Sequence, residues 1–263
     1  MSMRRFTAPG IASAFLAAAT GWTGCHSTVS TGPSAPFSAT TFQQHSTAHF
    51  AFRYTSIDAP SIADTAARVE GEHARIISDL QATPMSSVTV TLHPDFASLQ
   101  DAVRSAAGTL PAFAKGLTTG VASIHVLSPN LSNAWSYADG VTAIVHEFAH
   151  CVSLQVNPTV GNNPRWLWEA VAIFEAGQFV HPRSVMSLVN GEPPTISRLN
   201  GFDNTEIYAV GFVMGEFIVA RWGGGSLVAL IRGNGNVAAV TGMGENEFLA
   251  AWYQFVSVRY LSS

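Results

Sequence analysis

The segment Ile144-Val145-His146-Glu147-Phe148-Ala149-His150-Cys151 sets two histidines and a glutamate into a run that is otherwise apolar and helical in its spacing. On a helix, His150 falls about 40° and Glu147 about 100° from His146. Val141, Ile144, Val145, Phe148, Cys151 and Val152 fill the opposite arc. A helix over Gly140 to Leu154, with Asp139 as its N-cap, must therefore bury one side and turn two imidazoles and a carboxylate toward a cleft. Two histidines one turn apart can hold a single Zn²⁺ through ring nitrogens, and the glutamate between them is placed to take a proton from water. Composition alone gives an expectation of about 0.01 such HExxH matches in a shuffled chain of this length. The plainer alternative is a helix with two exposed histidines and a local Glu–His contact.

A further carboxylate sharpens this reading. Asn163 and Pro164 open a second helical run, Pro164 to Gln178, with Asn163 as cap and Pro164 at the first helical position. Around Glu169 on that helix lie Trp166, Ala172, Ile173 and Ala176, so its charge needs a cation or a proton. Two partners are open. One is a metal shared with His146 and His150; the other is Arg165, one turn back, giving an ion pair worth a few tenths of a kcal/mol.

The rest of the chain reads as α+β. Strands are predicted at His49–Thr55, Ser87–Leu92 and Gly120–Leu127, and helices at Ser61–Leu80 and at Asp95–Ala107 with Asp95 as cap. Beyond residue 130 only helices follow: the two above, then Glu206–Trp222, Ser226–Arg232 and Asn246–Leu261. A small N-terminal mixed sheet with helices, packed on a mostly helical C-terminal half, places the HExxH helix between subdomains 47–155 and 156–263. Gly211 and Gly215, four apart, suit close helix packing.

Ahead of residue 47 the chain has another character. Arg4 and Arg5 precede an apolar run from Ile11 to Ala19 and then Thr23-Gly24-Cys25, the layout of an export signal over residues 1–25. Small residues before a cysteine resemble a bacterial lipoprotein signal, which implies lipidation of Cys25 and a protein held at the cell envelope, with plain secretion as the alternative. Residues 26–46, rich in Ser, Thr, Gly, Pro and Gln, read as a flexible tether. The other cysteine, Cys151, is expected to be a buried thiol.

Composition narrows the function classes. A formal net charge of −4 with only 13 Lys and Arg in 263 residues argues against a nucleic-acid partner. Two cysteines cannot staple a scaffold. No GxSxG, phosphate loop or Cys/His nucleophile arrangement is present.

HEFAH, then 18 residues, then Glu169 within PRWLWEAVAIF resembles the gluzincin metallopeptidases, and especially the bacterial peptidase-MA-like proteins, whose second motif runs P-x-W-L-x-E-G-x-A. The match covers residues 139–177. It implies a zincin-like fold, zinc held by His146, His150 and Glu169, Glu147 as general base, and a peptide or protein substrate. Ala170 replaces the usual Gly, and Ile173 stands where the thermolysin branch carries an Asp that supports a zinc-bound His. The helix Glu206-Ile207-Tyr208-Ala209-Val210-Gly211 is similar to the Tyr-containing helix of the family, making Tyr208 a candidate oxyanion donor or, equally, a core aromatic. By the same likeness His125 lines a substrate groove, or else is an ordinary strand histidine. His73, His93 and His181 are expected at the surface, and Glu175 and Glu216 have no visible role. A membrane-tethered binding or scaffold protein that keeps the fold without turnover stands as the second functional reading, and hydrolysis of a non-peptide amide or ester as the third.

Overall fold

A computed structural model describes residues 41–262. The expected export signal, Cys25 and the expected tether up to residue 40 lie outside them. Five strands form one sheet in the order β1-β2-β3-β5-β4: β1 (Gln43–Ser46), β2 (Phe50–Tyr54), β3 (Val88–His93), β4 (Gly116–Gly120) and β5 (Ser123–Leu127). The inner pairs β2·β3 and β3·β5 are parallel, and the outer pairs β1·β2 and β4·β5 are antiparallel, so the sheet is mixed. Helix α1 (Ile62–Asp79) carries the chain from β2 to β3, and α2 (Phe96–Ala107), capped by the Asp95 side chain, follows β3. Such crossovers are what parallel neighbours require.

Strand alternation divides the core. Phe50, Phe52, Val88, Val90, Leu92, Ile124 and Val126 pack with Val69 and Ile76 of α1 and with Phe148 and Val152 of α3 (Tyr137–Val156). On the other side, Leu127 joins Leu99 and Val103 of α2. Helix α3 starts three residues before the expected boundary. Ser136, rather than Asp139, is its cap, with the Ser136 hydroxyl oxygen accepting from the Asp139 N–H.

The remaining helices are α4 (Arg165–Glu175), α5 (Met186–Val189), α6 (Ile196–Leu199), α7 (Ile207–Trp222), α8 (Gly225–Arg232), α9 (Val237–Thr241) and α10 (Glu245–Val256). Helix α10 runs into a π-helical turn, Ser257–Leu261, which completes the predicted 246–261 segment. The described residues make one compact unit, in which α3 packs against the sheet, α1, α4 and α8. Among the described residues no single helix is long and apolar enough to cross a membrane.

Helix α4 lies against α7, and the glycines of α7 allow it. A Cβ at Gly211 would stand 2.7 Å from Ile173 Cδ1, and one at Gly215 2.6 Å from Phe174 Cβ. Helix α4 itself begins one residue later than expected, with Pro164 at the cap position.

Several expectations need correction. Residues 43–46, assigned to the tether, form β1, because the sheet supplies hydrogen-bond partners for a polar edge strand. His93 is 2 % exposed rather than at the surface. It sits on β3, Nε2 3.0 Å from His125 Nδ1 on β5 and Nδ1 3.0 Å from Ser98 Oγ. His73 is half-buried, stacked between the His49 and Phe148 rings. Glu175 is buried and accepts from Arg75 of α1 at 2.8 Å, which ties α1 to α4. Glu216 accepts from Tyr260 at 2.6 Å and pairs with Arg259 at 2.9 Å, holding the C-terminal turn.

Candidate metal centre

Helices α3 and α4 bring three side chains to one point. His146 and His150 lie one turn apart on α3, their rings nearly perpendicular with centroids 4.6 Å apart. Glu169 reaches them from α4, with Oε2 3.3 Å from His146 Nε2 and 3.9 Å from His150 Nε2. All three residues are buried, and one potential ligand atom from each lies within 4.8 Å of the other two. A tetrahedral ion bound at the usual 2.0–2.1 Å separates its ligand atoms by roughly 3.4 Å. The spacing observed therefore suits a metal ion. Glu169 Oε2 and His150 Nδ1 have no hydrogen-bond partner. A buried carboxylate oxygen without a partner is costly, and a cation between the three groups removes that cost.

The alternative partner for Glu169 is otherwise engaged. Arg165 is 5 % exposed, and its Nη1 donates to the carbonyls of Leu199, Gly201 and Asn204 at 3.3, 3.2 and 2.7 Å. It clamps the loop before α7, and its guanidinium carbon lies 5.6 Å from the centroid of the Tyr208 ring.

His146 Nδ1 lies 2.8 Å from the Gln178 side-chain oxygen. With the amide in that orientation the ring carries its proton on Nδ1, which leaves the Nε2 lone pair toward Glu169. Gln178, just beyond α4, thus supplies the acceptor that Ile173 cannot. His150 is instead steadied by Trp168, whose ring stacks on it at 4.0 Å and 4°. Burial pulls the His146 pKa down, but Glu169 and Glu147 beside it outweigh this and the net direction is upward. Burial and the neighbouring His146 hold His150 well below the ordinary imidazole value, so it is neutral and able to ligate.

Glu147 faces the same cleft beneath β4. Thr118 Oγ1 lies 2.9 Å from its Oε2 and 2.8 Å from its main-chain oxygen. A Cβ at Gly116 would stand only 2.8 Å from Glu147 Oε1 and 3.2 Å from its Cγ, so a larger residue there displaces the Glu147 side chain. Burial raises the Glu147 pKa to about 7 despite the opposing pull of His146. A carboxylate poised there can accept and return protons near neutrality, and a divalent cation nearby favours its charged form.

Tyr208 stands at the mouth of the cleft, 37 % exposed, and lines the spaces on both sides of Glu147. It is therefore not a core aromatic. Burial of its hydroxyl, and then Glu169, raise its pKa, so it stays a protonated donor. His125 lines neither of the two spaces beside Glu147, and its Nδ1 meets His93 Nε2 at 3.0 Å. Cys151 is a buried free thiol whose pKa burial pushes up to about 12.

Sequence reasoning missed Thr118, Gly116, Gln178 and Trp168. Trp168 adjoins Glu169 and was open to inspection. The other three reach the site only through the tertiary fold.

No family model matches the chain, and no curated protein matches it significantly. Fold and site together define an α+β protein with a buried His₂Glu group able to bind a metal ion.

Proposed function

We propose that the chain is a zinc-dependent peptidase of gluzincin type, with His146, His150 and Glu169 as metal ligands. The observation that carries this reading is the convergence of three ligand atoms from two helices beside a fourth group, Glu147, that is not needed to hold the ion. A closed structural zinc site fills its fourth position with a protein ligand, whereas a catalytic one leaves it open. When bound, Zn²⁺ supplies the Lewis acidity that activates a water molecule and polarises the scissile carbonyl.

The chain's own residues do the rest. Glu147, pinned by Thr118, takes a proton from the attacking water and passes it to the leaving amine. Tyr208, protonated at the cleft mouth, donates to the oxyanion of the tetrahedral intermediate. Strand β4 ends the sheet, and no described strand pairs with its outer side. Its main chain beside Glu147 suits an extended peptide, which adds to such an edge by hydrogen bonding. The resemblance of residues 1–25 to a lipoprotein signal supports a protein held at the bacterial cell envelope through Cys25, with secretion as the alternative.

The test is zinc content together with cleavage of a mixed peptide library, with and without chelator, for the purified protein and for His146→Ala. The expected result is bound zinc and chelator-sensitive cuts, both lost in the variant. Zinc content unchanged in His146→Ala, or cleavage indifferent to chelator, overturns the assignment. Bound zinc with no cut in any peptide leaves the tethered scaffold, or hydrolysis of another amide or ester.

A further inference from the structure

The cleft over Glu147 has two lobes, and their chemistry differs. The first, of about 520 Å³, runs along all five residues of β4 and over His150, Trp168 and Glu169. That volume lies within the range of ordinary ligand sites. Its walls away from the metal group are mainly apolar, with Leu110, Pro111, Phe113, Leu117 and Leu154, and its polar members there, Thr109, Thr119 and Asn162, are uncharged. The charged side chains lining it are Glu147, Glu169 and Arg165. The first two belong to the candidate centre, and Arg165 is taken up by three carbonyls. No charge in this lobe is left to meet a charged side chain. The second lobe, which shares Phe113, His146, Glu147 and Tyr208 with the first, does hold Lys115 and Asp139.

The surface around the cleft repeats the pattern. Nine large apolar side chains are exposed among the described residues, and Phe113, Phe179, Phe202 and Tyr208 among them all line one lobe or both. Phe202 is 59 % exposed on the loop that Arg165 clamps. Exposed apolar groups scattered singly need no explanation, but a collar of them around one cleft marks a binding surface.

Resting on the peptidase reading, we infer that the substrate is an extended polypeptide segment that places a bulky apolar side chain, of Leu, Met or Phe type, in the first lobe. The unpaired edge of β4 runs through that lobe, so main-chain pairing and side-chain burial act on the same segment. Phe113 and Phe202 cover the seated side chain from solvent. Leu154 sets the chemistry of the wall, and a charge placed there changes the class of side chain admitted.

Binding and cleavage are tested separately. Glu147→Gln protein, loaded with zinc, is titrated with fluorescently labelled octapeptides blocked at both ends that differ only in a central Leu, Phe, Asp, Lys or Gly. The Leu and Phe peptides are expected to bind at least 10-fold more tightly than the Asp and Lys peptides, the factor that burial of such a side chain supplies. Adding Leu154→Lys should abolish that preference with zinc content unchanged. The exposed position Phe202→Ala, which cannot disturb the core, should weaken the Leu and Phe peptides several-fold and leave the Gly peptide as it was. Equal binding of apolar and charged peptides overturns the inference, as does a preference indifferent to both substitutions. Apolar preference in binding with no cleavage by the unsubstituted protein fails the peptidase reading and leaves the docking site standing. Zinc-dependent cleavage at charged and apolar positions alike does the reverse.

Discussion

Glu147 is a group whose position costs the fold something. The residue is 8 % exposed, burial pushes its pKa to about 7, and the one neutral side chain that holds its carboxylate is the Thr118 hydroxyl. A residue kept only for stability at this point would be apolar or paired in kind. Glu147→Gln keeps an amide oxygen for Thr118 to donate to and leaves His146, His150 and Glu169 untouched. The expected outcome is zinc content equal to that of the unsubstituted protein, with turnover lower by roughly 10²–10⁴-fold, the range ascribed to a positioned general base. Steady-state peptide hydrolysis and metal analysis on the same preparation check it, and equal turnover removes Glu147 from the mechanism. His146, Glu147 and His150 were legible because one helical turn fixes their relation whatever the rest of the chain does. Glu169 was legible from its apolar neighbours on the helix. Thr118 and Gln178 were not, because a threonine in a Gly-Leu-Thr-Thr-Gly strand and a glutamine after a helix carry no local mark of what they meet in space. Arg165 shows the converse: its one-turn spacing from Glu169 suggested an ion pair, and three backbone carbonyls outbid the carboxylate.

At the scale of elements, strands β3 and β5 carry a pH dependence in their pairing. His93 and His125 share one hydrogen bond between ring nitrogens at 3.0 Å, so one ring donates and the other must offer a lone pair. Protonating both rings removes the acceptor. Burial first, then His125 and Arg53, pull the His93 pKa down to about 4 against the upward pull of Asp95. His125 is lowered by burial and by Arg53. A histidine depressed in the folded state contributes stability that is whole above its unfolded value near 6.5. That stability drains as pH falls toward 4, because the unfolded chain binds the proton that the folded one refuses. For His93 the loss is about 3 kcal/mol across that window. Urea unfolding of the chelated protein at pH 7 and pH 4.5 measures it, and His93→Gln should flatten the slope between them by most of that amount. An unchanged slope in the variant excludes the pair as its cause. The helices α1, α2, α3, α4, α7, α8 and α10 were visible from their 3.6-residue period and the β2, β3 and β5 strands from their β-branched and aromatic runs. Strand β1 was hidden because Gln43-Gln44-His45-Ser46 has no apolar alternation, and β4 because glycines bound it at both ends. Both are edge strands, whose place is decided by the neighbour they pair with and only weakly by their own side chains.

For the whole molecule, the candidate centre is a joint between the sheet side and the helical side. Its ligands come from α3, which packs on the sheet, and from α4, which packs on α7. Without an ion, the folded chain keeps Glu169 Oε2 buried and without a hydrogen-bond partner, a cost that unfolding relieves by hydration. An ion that binds the folded chain alone must therefore stabilise all of it, by about 2.7 kcal/mol when free metal is 100-fold above its dissociation constant. In a domain of this size that corresponds to a rise of roughly 5–10 °C in the unfolding midpoint. Calorimetry of chelated protein before and after adding zinc reads the shift. His146→Ala and Glu169→Ala, which remove one ligand each from opposite sides of the joint, should each abolish most of it. A shift that survives Glu169→Ala but not His146→Ala would mean that the ion sits on α3 alone, and α4 would then be only a packing partner of the centre.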